Sequence, residues 1–164
     1  MEHTRVENIE QFNHYFHQPT HHPQVSVARL QDADLSLFQP TDFCMYCVVL
    51  MEVDFGELVL HDTCMRYRGG TMFTMKPGDV VSMNLDSRIK PHGWMLAFRP
   101  EQLNGTGLGR DFYMFNFFEY KVAEALELYD SERHVIINCF NNIYTELQIS
   151  EDRKSGSAGM PRPI

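Results

Sequence analysis

Basic residues, cysteines and long apolar runs are scarce in this sequence. Lys and Arg together number 14 against 22 Asp and Glu, so the formal net charge is -8. A negative field repels phosphate backbones, and direct nucleic-acid binding is therefore not expected. The apolar runs are shorter than the ~20 residues of a membrane helix, and the first residues lack the apolar stretch of a signal peptide. These absences predict a cytoplasmic protein that does not enter a membrane.

The sequence has only four cysteines, at positions 44, 47, 64 and 139. Cys44 and Cys47 have the CxxC spacing of zinc and redox sites, but no second pair follows. The surrounding run from Phe43 to Leu50 is apolar and is typical of a strand. Positions three apart on a strand face opposite sides, so the two thiols should diverge. The pattern favours buried free thiols in a reducing compartment over a metal or disulfide.

The apolar share is 43% and the aromatic share 12%, which predicts one domain with a bulky core in 164 residues. Residues 1–22 form an N-terminal helix and lead-in. An apolar stripe in this segment recurs at spacings of three and four, which predicts a short amphipathic helix ended by Pro19. The stripe comprises Val6, Ile9, Phe12 and Phe16. His14 and His17 lack ligands at metal spacing, so surface histidines are favoured.

Residues 23–100 change to short β-rich runs separated by turn-forming Gly, Pro and Asp. Several close strands with no helix between them predict an antiparallel sandwich or small barrel and exclude a parallel α/β fold. The predicted strands are Val25–Leu30, Phe43–Val53, Glu57–His61, Cys64–Tyr67, Gly70–Met75, Val80–Asn84 and Gly93–Phe98.

Residues 101–150 form a helical linker and a final helix that Asp130 or Ser131 can cap. The apolar stripe of this helix supports two interpretations, a dimer interface or packing onto the protein's own barrel, and the pattern does not separate them. The stripe comprises Ile136, Phe140, Ile143 and Leu147. Residues 151–164 are typical of a flexible tail, native or not, because Gly, Ser and Pro replace the apolar period.

The order of several segments resembles the sensor half of AraC-family transcription regulators of the Bacteroidetes type. Gly70–Val81 is similar to a cupin strand–turn–strand, and Gly93–Leu103 is similar to the strand that closes the barrel. The likeness covers residues 9–147, and its later pieces are Leu108–Arg110, Phe117–Tyr120, Glu124–Leu128 and the helix from Ser131. The resemblance implies a mainly β fold with flanking α, in which a cupin-like jelly-roll barrel is followed by a helical segment. It also implies that the chain is truncated before the helix-turn-helix domain of such regulators.

Two departures from cupin metal sites are visible. The first metal motif keeps His61 after Gly56, but Thr63 stands where its second histidine belongs. The Pro, Gly and His positions of the second motif are occupied by Asn84, Asp86 and Ile89. A metal needs three or four converging ligands, so no metal, cofactor or catalytic residue is expected.

The resemblance implies a ligand-sensing and dimerisation domain rather than an enzyme. Small barrels hold a ligand between alternating strand residues, and either Met45, Cys47 and Val49 or the intervening residues point inward. The candidate ligand-binding residues are Tyr46, His61, Tyr67, Met72 and Trp94, with His92 and Arg66 as further polar groups. The partners implied are a small-molecule effector and a second chain, in a homodimer or a heterodimer with a full-length regulator. A stand-alone cupin enzyme and a purely structural dimerisation module are the alternatives.

Overall fold

The protein is described by a computed structural model over residues 4–33, 39–53, 57–60, 63–66, 68–84, 91–99 and 126–156. This part of the chain is mainly β with flanking helices, as the sequence predicts. The elements in chain order are β1 (Thr4–Arg5), α1 (Ile9–Tyr15), β2 (Val25–Arg29), a 3₁₀ turn (Leu30–Asp32), β3 (Thr41–Asp42), β4 (Tyr46–Met51), β5 (Glu57–Leu60), β6 (Thr63–Arg66), β7 (Thr71–Met75), β8 (Val80–Asn84), β9 (Gly93–Phe98), β10 (Leu126–Glu127) and α2 (Asp130–Gly156).

The strands form two sheets. The first has the order β1-β3-β8-β5-β6 and the second the order β10-β7-β4-β9-β2. Neighbouring strands are antiparallel except for the short parallel pair of β1 and β3. Within the described residues no strand of one sheet pairs with a strand of the other. Each predicted strand has a counterpart in these sheets, and the ends differ by a few residues.

Helix α1 confirms the predicted amphipathic helix, although it is shorter than the stripe. The side chain of Asn8 accepts a hydrogen bond from the backbone N–H of Gln11 at 2.8 Å and caps the first turn. Val6, Ile9, Phe12 and Phe16 are all buried, as the periodicity predicts.

The strand predicted to begin at Phe43 begins at Tyr46 instead. Cys44 has φ of 53°, in the left-handed region, so the backbone bends before the strand begins. Asp42 holds this bend, because its Oδ1 accepts the N–H of Cys44 at 2.8 Å and that of Gly78 at 3.1 Å. Gly78 lies in the predicted turn between β7 and β8, which the bond from Asp79 N–H to the Lys76 carbonyl closes. One buried carboxylate thus fixes two distant turns.

The core has two parts, one on each face of the second sheet. Cys47, Val49 and Met51 of β4 belong to the cluster between the sheets, together with α1. Leu50 belongs to a cluster on the opposite face, with Val48 packed against it. The register that the sequence left open is therefore the one with Met45, Cys47 and Val49 inward.

Helix α2 covers the outer face of the second sheet. It begins at Asp130, and the carboxylate of Glu132 accepts the N–H of Tyr129 at 3.0 Å. A side-chain acceptor therefore sits in the first turn, at Glu132 rather than at the predicted Asp130 or Ser131. The helix continues to Gly156, so the first six residues of the predicted tail at 151–164 are helical. Over the residues that the structure describes, neither helix has an apolar stretch of the length that crossing a bilayer requires.

Candidate functional site

An apolar cavity lies between the two sheets, next to α1. Its free volume is only about 30 Å³. Its walls combine both sheets, α1 and the loops beside them. The described lining residues are Tyr15, Phe16, Leu30, Gln39, Thr41, Phe43, Val49, Phe73, Met75, Val81, Ser82, Met83 and Met95.

Aromatic contacts join α1 to the cavity wall. The Tyr15 ring meets the Phe43 ring edge-on at 5.6 Å between centroids, and Phe12 meets Phe43 at 6.2 Å. Phe12 also contacts Phe16 at 4.8 Å. Edge-on and tilted pairs of this kind stabilise their packing beyond the area they bury. Helix α1 therefore forms one side of the cavity, and contacts between a few aromatic rings hold it there.

Three methionines also line the cavity: Met75 and Met95 come from β7 and β9 of the second sheet, and Met83 comes from β8 of the first. Methionine has three rotatable bonds and a polarizable sulfur, so it adapts to differently shaped apolar surfaces. Among the described lining residues Tyr15 alone carries an ionisable group. This composition suits the binding of an apolar molecule and supplies no nucleophile with an adjacent base.

The five predicted ligand-binding residues are not brought together at this cavity. Met72 and Trp94 are buried on the outer face of the second sheet, under α2. Tyr46 is half-buried, shares that outer face by alternation with Cys47, and stacks on Phe98 at 5.8 Å. His61 and Tyr67 lie outside the described residues.

The predicted interface residues of α2 pack on the protein's own sheet. Phe140 is buried, with its ring parallel to that of Trp94 at 5.9 Å and an interplanar angle of 13°. Ile136, Ile143 and Leu147 are half-buried in the same cluster. The sequence allowed either a dimer interface or packing onto the protein's own strands, and in this structure the stripe packs onto the protein's own second sheet.

His92, predicted as a polar group of the site, pairs with Glu52 at a different place. The distance from His92 Nδ1 to Glu52 Oε2 is 3.1 Å, and the His92 side chain is 53% exposed. The backbone carbonyl of Glu52 accepts a hydrogen bond from Arg133 at 2.7 Å. This contact fixes the first turns of α2 against the sheet. Glu52, which joins His92 to Arg133, therefore has a structural role.

Three of the four thiols have a raised pKa, which lowers the fraction present as the nucleophilic thiolate. Burial raises the pKa of Cys47 far above its ordinary value, and burial also raises the pKa of Cys44. A hydrogen bond to the Glu57 carboxylate, 3.4 Å away, raises the pKa of the exposed Cys64. All four thiols are free; Cys47 is buried as predicted, whereas Cys64 and Cys139 are exposed.

No three His, Cys, Asp or Glu side chains converge as a metal site would require in the part of the chain that the structure describes. The residues of the cavity that sequence reasoning missed are those of α1 and the loop before β4, chiefly Tyr15, Phe16 and Phe43. The stripe of α1 signals that these rings are buried, but periodicity carries no information about which surface buries them.

The chain matches no protein-family model, and no curated protein matches it either. The AraC-type resemblance therefore stays a prediction from the residues quoted above.

Proposed function

We propose that this protein is a ligand-sensing domain that binds a small apolar molecule between its two sheets. The observation that carries the proposal is the apolar cavity lined by aromatic residues at α1 and by methionines from both sheets. Cavities lined mainly by apolar and aromatic side chains are the usual sites for small ligands.

The size of the cavity makes ligand binding a conformational event. A cavity of ~150 Å³ binds benzene, whereas only about 30 Å³ is free here. A ligand of that size must therefore displace methionine side chains or move α1. Binding then selects between two packings of the core, which a sensor requires.

The second sheet offers a route from the cavity to α2. Val49, Phe73 and Met95 line the cavity, and their neighbours Leu50, Met72 and Trp94 pack under α2. Adjacent strand residues point to opposite faces, so a shift of one strand moves both clusters. The ligand state thereby changes how firmly α2 is held.

The two facing antiparallel sheets support a cupin-like jelly roll as the finer description of the fold. With the resemblance of Gly70–Val81 and Gly93–Leu103, we assign the domain to an AraC-type regulator. We further propose that it dimerises, with itself or with a full-length regulator, and that the chain does not bind DNA directly because its net charge is -8.

The test is a titration with indole as the apolar probe, followed through the ¹³C-methyl signals of methionine. We expect saturable shifts at Met75, Met83 and Met95, which line the cavity, and a smaller shift at Met72, which lies under α2 on the other face of the same sheet. The variant Val81→Phe fills the cavity and should abolish indole binding. If Val81→Phe does not fold, the smaller change Val81→Ile replaces it in the test and should weaken indole binding.

The matched control is Val135→Phe, which adds the same ring on a side chain that is 60% exposed on α2. It should leave indole binding unchanged. Indole binding that survives in a folded Val81→Phe protein, or no saturable shift at the three methionines, would contradict the proposed site.

A further inference from the structure

A second pocket lies between the loop after α1, the edge strand β2 and the middle of α2. Its volume is about 90 Å³, larger than the free space between the sheets. The described lining residues are Gln18, Pro19, His21, Val25, Ser26, Val27, Tyr144, Leu147 and Gln148. It is separate from the cavity of the proposed function, because the two share no lining residue.

His21 lines this pocket with a buried polar atom that has no partner. Its Nδ1 is shielded from solvent, and no described residue forms a hydrogen bond with it. Buried polar atoms in native proteins almost always have a partner, so each exception requires an explanation. Nδ1 is covered as the ring stands, so a molecule bound in the pocket would become its partner after the His21 ring turns toward the pocket.

The wall beside His21 is a fixed polar network. The side-chain amide of Gln18 donates to Asn13 Oδ1 at 2.8 Å and lies 3.1 Å from both Ser26 Oγ and the Val27 carbonyl. Ser26 also donates to Asn13, which is almost completely buried. Because these groups bind one another across α1, the loop and β2, the wall is preorganised and loses little entropy on binding.

The lining residues define the chemistry of the ligand. No Asp, Glu, Lys or Arg is among the described lining residues, so a charged ligand would lose hydration without gaining a counter-charge. Imidazole nitrogen donates in one tautomer and accepts in the other, and the amide of Gln148 does both. The NH2 group of Gln18 is bonded within the wall, so Gln18 can meet a ligand only as an acceptor. Hydroxyl and amide groups match this wall, because each can donate and accept. Val25, Val27 and Leu147 complete the pocket with an apolar side.

We propose that this pocket binds a small neutral molecule bearing hydroxyl or amide groups. By comparison with benzene in a cavity of ~150 Å³, the space holds about four non-hydrogen atoms. Tyr144, Leu147 and Gln148 belong to α2, whereas Gln18 and His21 belong to the loop. A ligand here joins α2 to the rest of the domain directly.

Arg29 holds the Tyr144 ring in its position on the wall of the second pocket. The guanidinium carbon of Arg29 lies 5.5 Å from the centre of the Tyr144 ring and 5.2 Å from that of Trp94. Cation–π contacts at this range stabilise the ring position. The pocket wall supplied by α2 is therefore ordered by the same contacts that hold the helix on the sheet.

The test compares acetamide with acetate, which has nearly the same shape and carries a charge. A ligand with four non-hydrogen atoms binds with a dissociation constant of about 50 µM at best. Because acetamide can bind much more weakly than this limit, its concentration is raised to about 100 mM. Amide and imidazole NMR signals report the occupancy. We expect saturable shifts at the side chains of Gln18, His21 and Gln148 with acetamide and none with acetate, and slower hydrogen exchange in the middle of α2.

Two substitutions remove polar groups while retaining shape, Gln148→Met and His21→Phe. Each should weaken acetamide binding at least about tenfold, the loss expected when one good hydrogen bond is removed. Thr145→Met, on an exposed position of the same helix, is the control and should bind normally. If His21→Phe fails to fold, Gln148→Met alone decides.

Acetamide shifts that do not saturate, or that persist unchanged in Gln148→Met, would overturn the proposal and leave water as the content of the pocket. Equal binding of acetate would overturn the assignment of a neutral ligand. The signals of Met75, Met83 and Met95 report the other cavity, so this result and the indole titration fail or succeed independently.

Discussion

At the scale of single residues, Gly93 has the closest backbone contact among the glycines that the structure describes. It begins β9 opposite Met51 of β4, with φ of 151°, a conformation that side chains disfavour. A Cβ atom at this position would overlap the backbone carbonyl oxygen of Leu50. The close approach of β9 to β4 in the centre of the second sheet therefore depends on the missing side chain.

Gly93→Ala should lower the free energy of unfolding by about 3 kcal/mol or more, because strain and overlap with backbone atoms act together. The matched control is Gly78→Ala. Gly78 has φ of 94°, but a Cβ atom there would meet nothing within 4 Å. We expect that variant to lose only about 1–2 kcal/mol, the cost of the left-handed conformation. Urea unfolding measures both, and equal losses would show that the overlap with Leu50 is relieved.

Local chemistry at the residue scale was predictable, and distant contacts were not. The turn at Lys76–Asp79 follows from Pro and Gly at its centre, and it is present. Within the turn the Asp79 carboxylate accepts the N–H of Lys76 at 2.9 Å, and a second carboxylate that fixes the turn belongs to Asp42, 36 residues earlier. Nothing in the spacing of these residues marks that contact, because the fold alone brings them together.

At the scale of elements, α2 shows why an apolar stripe does not name its partner. The stripe of Ile136, Phe140, Ile143 and Leu147 was predicted correctly as one face of a helix. A dimer interface and a domain core present the same periodicity, since both bury one face. The receiving surface lies on β2, β4, β7 and β9, whose outward residues are also apolar. Strands that are apolar on both faces were the signal for a second covering layer.

Phe140→Ala should separate α2 from the sheet or weaken its packing strongly. Phe140 is buried against Trp94, so the expected loss of unfolding free energy is about 3–5 kcal/mol. Val135→Ala, on the exposed side of the same helix, should change it by no more than about 0.5 kcal/mol. Thermal or urea unfolding compares the two. Similar small effects of both variants would contradict the packing of α2 described above.

At the scale of the whole molecule, the second sheet is a middle layer with a different neighbour on each face. The first sheet and α1 cover one face, and α2 covers the other. A domain used as a sensor needs one layer that moves and one that stays. The contacts of α2 involve fewer fully buried side chains than those between the sheets, so α2 is the layer more easily released.

Trp94 allows that release to be measured during dimerisation. It is the single tryptophan of the chain, and it is buried under Phe140 and Tyr144 of α2. If two chains dimerise through surfaces other than the stripe of α2, Trp94 stays covered and its emission remains blue-shifted. We expect this outcome over a concentration series in which sedimentation velocity reports the oligomeric state.

A dimer that uses Ile136, Phe140, Ile143 and Leu147 must first lift α2 from its own sheet. That exchange exposes Trp94 unless the partner's helix replaces it, and it requires breaking the bond from Arg133 to the Glu52 carbonyl. Arg133→Gln should then promote a dimer that pairs the two stripes directly, because such a dimer has already lost this bond. If the partner's helix instead takes the same place on the sheet, the bond forms again between the chains and the substitution weakens both states alike. An Arg133→Gln protein that associates no more strongly than the parent chain would exclude a dimer in which the two stripes pair directly.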